Sequence, residues 1–245
     1  MPPYFACLDG SVHIGHWRFS AGAASVGSIS KSMKDFKPER VLVLAPHTDD
    51  GEFGCGGTIA KYLDLGIEVY YVAFSACQQS VLKEFPSDIL ITEVKAATQV
   101  LGISPHNLIL LDYAVRTFNY RRQEILDDLI RLRKELAPDL ILMPSVNDIH
   151  QDHHTIATEG LRAFKFASIL CYEVPWNNFT FNTSAFVHLD EGHVQRKVDA
   201  LREYRSQAHR PYANEEFIRS LARTRGVQIS TRYAETFDVV RWIID

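Results

Sequence analysis

The sequence predicts an α/β protein: a Rossmann-like, doubly wound, mostly parallel sheet with helices on both faces. Three observations predict it. Short apolar runs recur at 41–45, 69–74, 108–111, 140–143 and 169–174, and runs this short and continuous suit strands buried on both faces. Stretches of helical period lie between them, so strands and helices alternate along the chain. Crossovers between parallel neighbours are right-handed, which turns that alternation into a doubly wound sheet.

Taken in order, the first run, Val41-Leu-Val-Leu-Ala, is the first core strand. The glycines that follow it, Gly54, Gly56 and Gly57, do not have the order of a dinucleotide loop, and acids crowd the place of a pyrophosphate. They read as close packing of a helix against the sheet. A helix is expected over 88–101, stopped by Gly102. The clearest helix covers 121–136, where Ile125, Leu129, Leu132 and Leu136 form one face and Leu126 and Ile130 widen it. Pro138 closes it before the fourth strand. Beyond Val174 the pattern is less regular, with helices expected over 193–207 and 214–225. No repeat or low-complexity linker divides 38–245, which reads as one domain.

The 245 residues are 46% hydrophobic and 23% charged, which suits a globular chain and excludes disorder. The net charge of -4 and the scattered Lys and Arg residues disfavour a nucleic-acid partner. No run reaches the roughly 18 apolar residues of a membrane span. Cys7, Cys55, Cys77 and Cys171 are far apart and form no CxxC pair, which fits reduced thiols in the cytoplasm. Residues 1–37 lack the pattern of a signal peptide and are rich in Gly, Ser and Ala. They read as a loosely ordered arm, and Met33 is an alternative start. Oligomeric state has no signature in the sequence.

Two clusters carry chemistry. The first strand ends in His47, Asp49, Asp50 and Glu52, and the fourth is followed by Asp148-Ile-His-Gln-Asp-His-His154. Crowded acids become tolerable around a cation. Ligands of open parallel sheets bind beyond the carboxyl ends of the strands, so both clusters belong at one edge. His47 and Asp50 can bind one ion together, with His150 or His153 as third ligand, as in catalytic zinc sites. Asp49, beside the ligand Asp50, is placed to act as general base. The remaining histidine, if protonated, can stabilise an oxyanion, with Asp152 steadying its ring.

These residues resemble the LmbE-like or PIG-L-like family of zinc-dependent N-deacetylases. Its A-H-P-D-D-x-E motif corresponds to Pro46-His47-Thr48-Asp49-Asp50-Gly51-Glu52, and its H-x-D-H motif to His150-Gln151-Asp152-His153. The resemblance extends over about residues 39–240. It implies His47, Asp50 and His153 as zinc ligands, with iron as the alternative metal, and Asp49 as the base that also returns a proton to the leaving amine. It implies His150 at the oxyanion with Asp152 orienting it, and an N-acetylated sugar or sugar conjugate as substrate. Thr48 replaces the usual proline, and Leu90 stands where many relatives carry a substrate-holding arginine, three residues before Glu93.

Other positions stay open at this level. Glu52 either contacts the site or caps the following helix, and His154 points away if His153 is the ligand. Asp112, Arg116 and Arg122 are candidates to contact a sugar or its phosphate, with a solvated role as the alternative. Trp176 is a candidate to stack on a sugar ring, with core packing the stronger expectation. Tyr233-Ala-Glu235 resembles a late family signature without assigned chemistry. The rival functions are the same site acting on another acylated amine, such as an amino-acid or thiol conjugate, and a non-catalytic nucleotide-sugar-binding protein.

Overall fold

The first strand of the computed structural model, β1 (Arg40–His47), is an inner strand of a seven-stranded sheet. The structure describes residues 37–244, so the expected arm and the alternative start at Met33 fall outside the described residues, Lys37 excepted. Parallel neighbours β2 (Glu68–Ser75) and β3 (Leu108–Leu110) extend the sheet on one side of β1. On the other side β4 (Leu140–Pro144) and β5 (Ser168–Tyr172) follow, also parallel. Two antiparallel strands, β7 (Tyr233–Arg241) and then β6 (Ala185–Leu189), complete the order β3-β2-β1-β4-β5-β7-β6.

Val41 to Ala45 are fully buried, and the pleat sends alternate residues to opposite layers. Val41, Val43 and Ala45 join the layer of α1 (Asp50–Asp64), α2 (Ile89–Leu101) and α5 (Glu191–Arg202). Leu42 and Leu44 join the layer of α3 (Arg122–Leu136) and α4 (Gln151–Ala163). Each of these valines and leucines contributes about 1.5–3 kcal/mol by leaving water. α6 (Glu215–Gln228), capped by Asn214, packs beside β7.

The elements depart from the pattern reading at a few ends. β5 stops at Tyr172, short of Val174. The helix expected over 193–207 starts two residues earlier, where Asp190 and His193 form a capping box, and ends at Arg202. Arg205–Gln207 form a separate short turn. Among the described residues no helix is long and apolar enough to cross a membrane.

The glycines of α1 do serve close packing. A side chain at Gly54 would run into the Tyr172 ring on β5, and one at Gly51 into the Tyr71 ring on β2. Both tyrosines are fully buried and cannot retreat. Gly54→Ala is therefore expected to cost about 1–3 kcal/mol of stability through overpacking. Urea unfolding checks this: a loss below about 0.5 kcal/mol, the range of ordinary surface changes, would mean that Tyr172 gives way.

Candidate metal centre

The topology brings the two clusters together. β1 and β4 are adjacent, yet α1 returns over one face of the sheet and α4 over the other. The loops after the two strands therefore diverge and leave a crevice at the carboxyl edge. His47 ends β1, and Asp50 opens α1 with its carboxylate folded back to accept the His47 backbone N–H at 2.8 Å. His150 is the cap residue of α4, its Nδ1 accepting the Asp152 backbone N–H at 3.2 Å. His153 follows one turn later on the buried side of the helix.

Three donor atoms form a nearly regular triangle. His47 Nδ1 lies 3.1 Å from Asp50 Oδ2, His153 Nε2 lies 3.2 Å from the same oxygen, and the two nitrogens are 3.3 Å apart. Tetrahedral zinc with bonds near 2.0–2.1 Å separates its ligands by roughly 3.3 Å. The triangle thus fits three corners of such a site and leaves one side open.

Each ring is held on its far nitrogen by a second carboxylate. Asp152 Oδ2 meets His47 Nε2 at 3.1 Å, and Asp148 Oδ2 meets His153 Nδ1 at 2.9 Å. Such partners fix ring orientation and raise ligand basicity. Burial alone would lower both histidines, but Asp50 together with Asp152 outweighs it and raises His47 to about 9. Asp50 and Asp148 raise His153 to about 10. Burial would raise Asp50, yet the two rings hold it well below the usual carboxylate range. Three carboxylates around two imidazoles make a centre that favours positive charge, and the donor set fits a divalent cation.

His150 stands apart from that triangle. Its ring lies 4.9 Å from the His47 ring and 4.8 Å from the His153 ring, so a third imidazole ligand is also within reach. Burial, then the neighbouring His153 and His47, push it down to about 4. The ring is thus neutral near pH 7, so the protonated form on which the sequence conditions the oxyanion role is not the one favoured here. Because Nδ1 accepts a hydrogen bond, the proton sits on Nε2.

The expected support of His150 by the Asp152 carboxylate is also corrected. That carboxylate accepts the backbone N–H groups of Arg116 at 2.6 Å and Phe118 at 3.3 Å, besides meeting His47. Residues two apart on a helix do not share a face, so the side chain turns toward β1 and the loop after β3. Only the Asp152 backbone serves His150.

Asp49 occupies the cap position of α1 but makes no cap bond, and its half-buried carboxylate lines the cleft. Burial and the adjacent Asp50 raise it to about 6. Glu52 is fully buried and contacts the site's loop instead of capping α1. The Tyr71 and Tyr204 hydroxyls each lie against both the Glu52 carboxyl and the Thr48 carbonyl. Burial raises Glu52 to about 8, so its carboxyl is neutral near pH 7 and adds a proton to the two that the hydroxyls bring to these contacts. His154 is exposed and outside the cleft, as expected.

The cleft over the triangle holds about 420 Å³. Of the four substrate candidates, Arg116 and Trp176 line it. Asp112 is exposed outside it, and Arg122 pairs with Glu159 across α3 and α4. One face of Trp176 is already stacked on Tyr212, with ring centroids 3.7 Å apart at 6°, and Phe53 meets its edge. Tyr212, Asn177, Gln207 and Arg210 also line the cleft and were missed, because they come from irregular loops. Asp148 was missed as a partner of His153, though its place five residues earlier in the cluster was a usable signal.

A family model described as PIG-L, GlcNAc-PI de-N-acetylase, matches residues 42–164. A diacetylchitobiose deacetylase of Thermococcus kodakarensis is 25% identical over 84% of this chain and 84% of its own. The uncharacterized deacetylase YaiS of Escherichia coli K12 is 25% identical over 69% of this chain and 92% of its own. The solved N,N'-diacetylchitobiose deacetylase from Pyrococcus horikoshii superposes with a TM-score of 0.71 at 25% identity, over 83% of this chain and 84% of that one. With both motifs inside or flanking one crevice and the matched region spanning β1 to α4, the chain belongs to the PIG-L family.

Proposed function

We propose that this chain is a zinc-dependent N-deacetylase, with iron as the alternative metal, that hydrolyses the acetamido group of an N-acetylated sugar or glycoconjugate. The observation that carries this reading is the donor triangle of His47, Asp50 and His153 with an uncommitted carboxylate and a neutral imidazole beside it. A divalent cation held there supplies Lewis-acid activation of water when bound. Asp49 takes the proton of the attacking water on its free carboxylate and returns it to the amine nitrogen as the C–N bond breaks. His150 donates from Nε2 to the carbonyl oxygen as that oxygen gains charge. Asp152 and Asp148 hold His47 and His153 in register. One water is consumed and acetate and an amine leave.

The described cysteines, Cys55, Cys77 and Cys171, are buried free thiols, which supports the cytoplasmic location we infer. The test is amine release from a panel of N-acetyl sugars, sugar conjugates, acyl amino acids and acyl thiol conjugates, before and after chelation. The expected result is chelator-sensitive release from an N-acetylated sugar. Protein carrying near one metal per chain that releases amine from no N-acetyl sugar would overturn the substrate class.

A further inference from the structure

Two guanidiniums face the cleft with no acid committed to them. Arg116 and Arg210 are the basic side chains, besides histidines, that line it. Its lining acids are Asp49 and Asp50, and both belong to the centre. Among the described residues the Arg116 guanidinium has no ion-pair or hydrogen-bond partner, and that of Arg210 has a long contact to Gln207 at 3.4 Å. Many of the other described arginines are ion-paired, among them Arg122 with Glu159, Arg196 with Asp64, Arg219 with Glu191 and Arg225 with Glu173, while Arg133, Arg223 and Arg241 donate to backbone carbonyls. What sets Arg116 and Arg210 apart is that two guanidiniums without an acid converge on one cleft, in a chain whose net charge is -4.

Both arginines are rooted on anchored backbone. Arg116 sits at φ 68, a left-handed conformation that costs a non-glycine residue energy and concentrates at functional sites. Asp152 holds it there by accepting its N–H at 2.6 Å, and the same carboxylate orients His47. The Arg116 root is thus tied to the reacting centre. Arg210 follows the turn Arg205–Gln207, whose Ser206 gives its N–H and hydroxyl to buried Glu93 at 2.9 and 2.6 Å. The Arg210 N–H then closes on the Gln207 carbonyl at 2.9 Å. Arg210 also faces the base closely enough for its charge to act on Asp49.

We propose that the cleft selects N-acetylated substrates bearing an oxyanion group, a phosphate or a carboxylate, held by Arg116 and Arg210; this rests on the deacetylase reading above. Guanidinium forks match both oxyanions and bind them through charge-assisted pairs. A neutral sugar leaves both charges unanswered.

The test compares kcat/KM of the metal-loaded protein on N-acetylglucosamine, its 6-phosphate, its 1-phosphate and its 3-O-lactyl ether. At least one anionic sugar is expected to exceed the neutral one by about tenfold or more, and the favoured member tells phosphate from carboxylate. Arg116→Met and Arg210→Met are each expected to shrink that ratio, and so is about 0.5 M NaCl with the unaltered chain, through screening. Equal kcat/KM for neutral and anionic sugars, or a ratio unmoved by both substitutions, overturns the inference. If no sugar releases amine, the deacetylase reading fails by itself. Calorimetry with inorganic phosphate then decides this inference: saturable binding lost in the double variant upholds it, and no binding, or binding that survives, overturns it.

Discussion

Asp49→Ala is expected to keep its metal and lose two to four orders of magnitude in turnover, the usual range for loss of a positioned general base. The two halves of that expectation rest on different atoms. Metal retention follows from the triangle, whose corners are His47 Nδ1, Asp50 Oδ2 and His153 Nε2, with no atom of Asp49. Loss of turnover follows from the carboxylate's freedom. It stands at the start of α1, where an acid ordinarily caps the N–H groups of the first turn, yet it makes no cap bond and lines the cleft. Burial and the charge of Asp50 raise it to about 6, which suits a group that must both take and return a proton near neutral pH. Asp49→Asn keeps the shape without the basicity and should fall as far. Metal content by mass spectrometry and amine release by fluorescence check both halves. Undiminished turnover in the alanine variant removes Asp49 from the reaction, and a metal-free variant would make it a ligand.

The sequence made the chemistry of the edge legible because the informative signals were local. An apolar strand ending in His47, Asp49 and Asp50 needs no tertiary knowledge to look costly, and the sheet-edge rule carried His153 to the same place. What was not legible depended on where distant chain segments pass. Tyr71 and Tyr204 meet Glu52 from β2 and from beyond α5, and nothing in their neighbourhoods marks them as its partners. Arg210 reaches the cleft from an irregular loop anchored on Glu93. The strand β7 escaped notice because two of its buried residues, Glu235 and Asp238, are acids that interrupt the apolar signal. The orientation of Asp152 was misjudged for the opposite reason: proximity in sequence to His150 suggested a contact that helix geometry denies.

Glu235→Ala is expected to cost about 3–5 kcal/mol, the usual penalty for leaving a buried charge without its partner. The reason lies in α1, which is broken at Cys55, where φ is -147 and ψ is 24. In a regular helix the Gly57 N–H would close on the Phe53 carbonyl. Here the Phe53 carbonyl accepts from Lys197 Nζ at 2.7 Å, and the Gly57 N–H goes to Glu235 Oε1 at 3.0 Å. Lys197 Nζ in turn lies 2.7 Å from that same oxygen. The other oxygen accepts the Thr58 N–H and hydroxyl, both at 2.6 Å. One buried ion pair thus serves the acceptor on one side of the break and the donors on the other. Removing the carboxylate leaves an ammonium and two backbone donors buried together. Lys197→Met added to Glu235→Ala removes the charge but not the orphaned donors, so the double variant should recover part of the loss and not all of it. Denaturant unfolding of the two single variants and the double variant measures this coupling. Additive losses, or a Glu235→Ala variant within about 0.5 kcal/mol of the parent, would mean that the break in α1 is held by its packing against β5 and β6 instead.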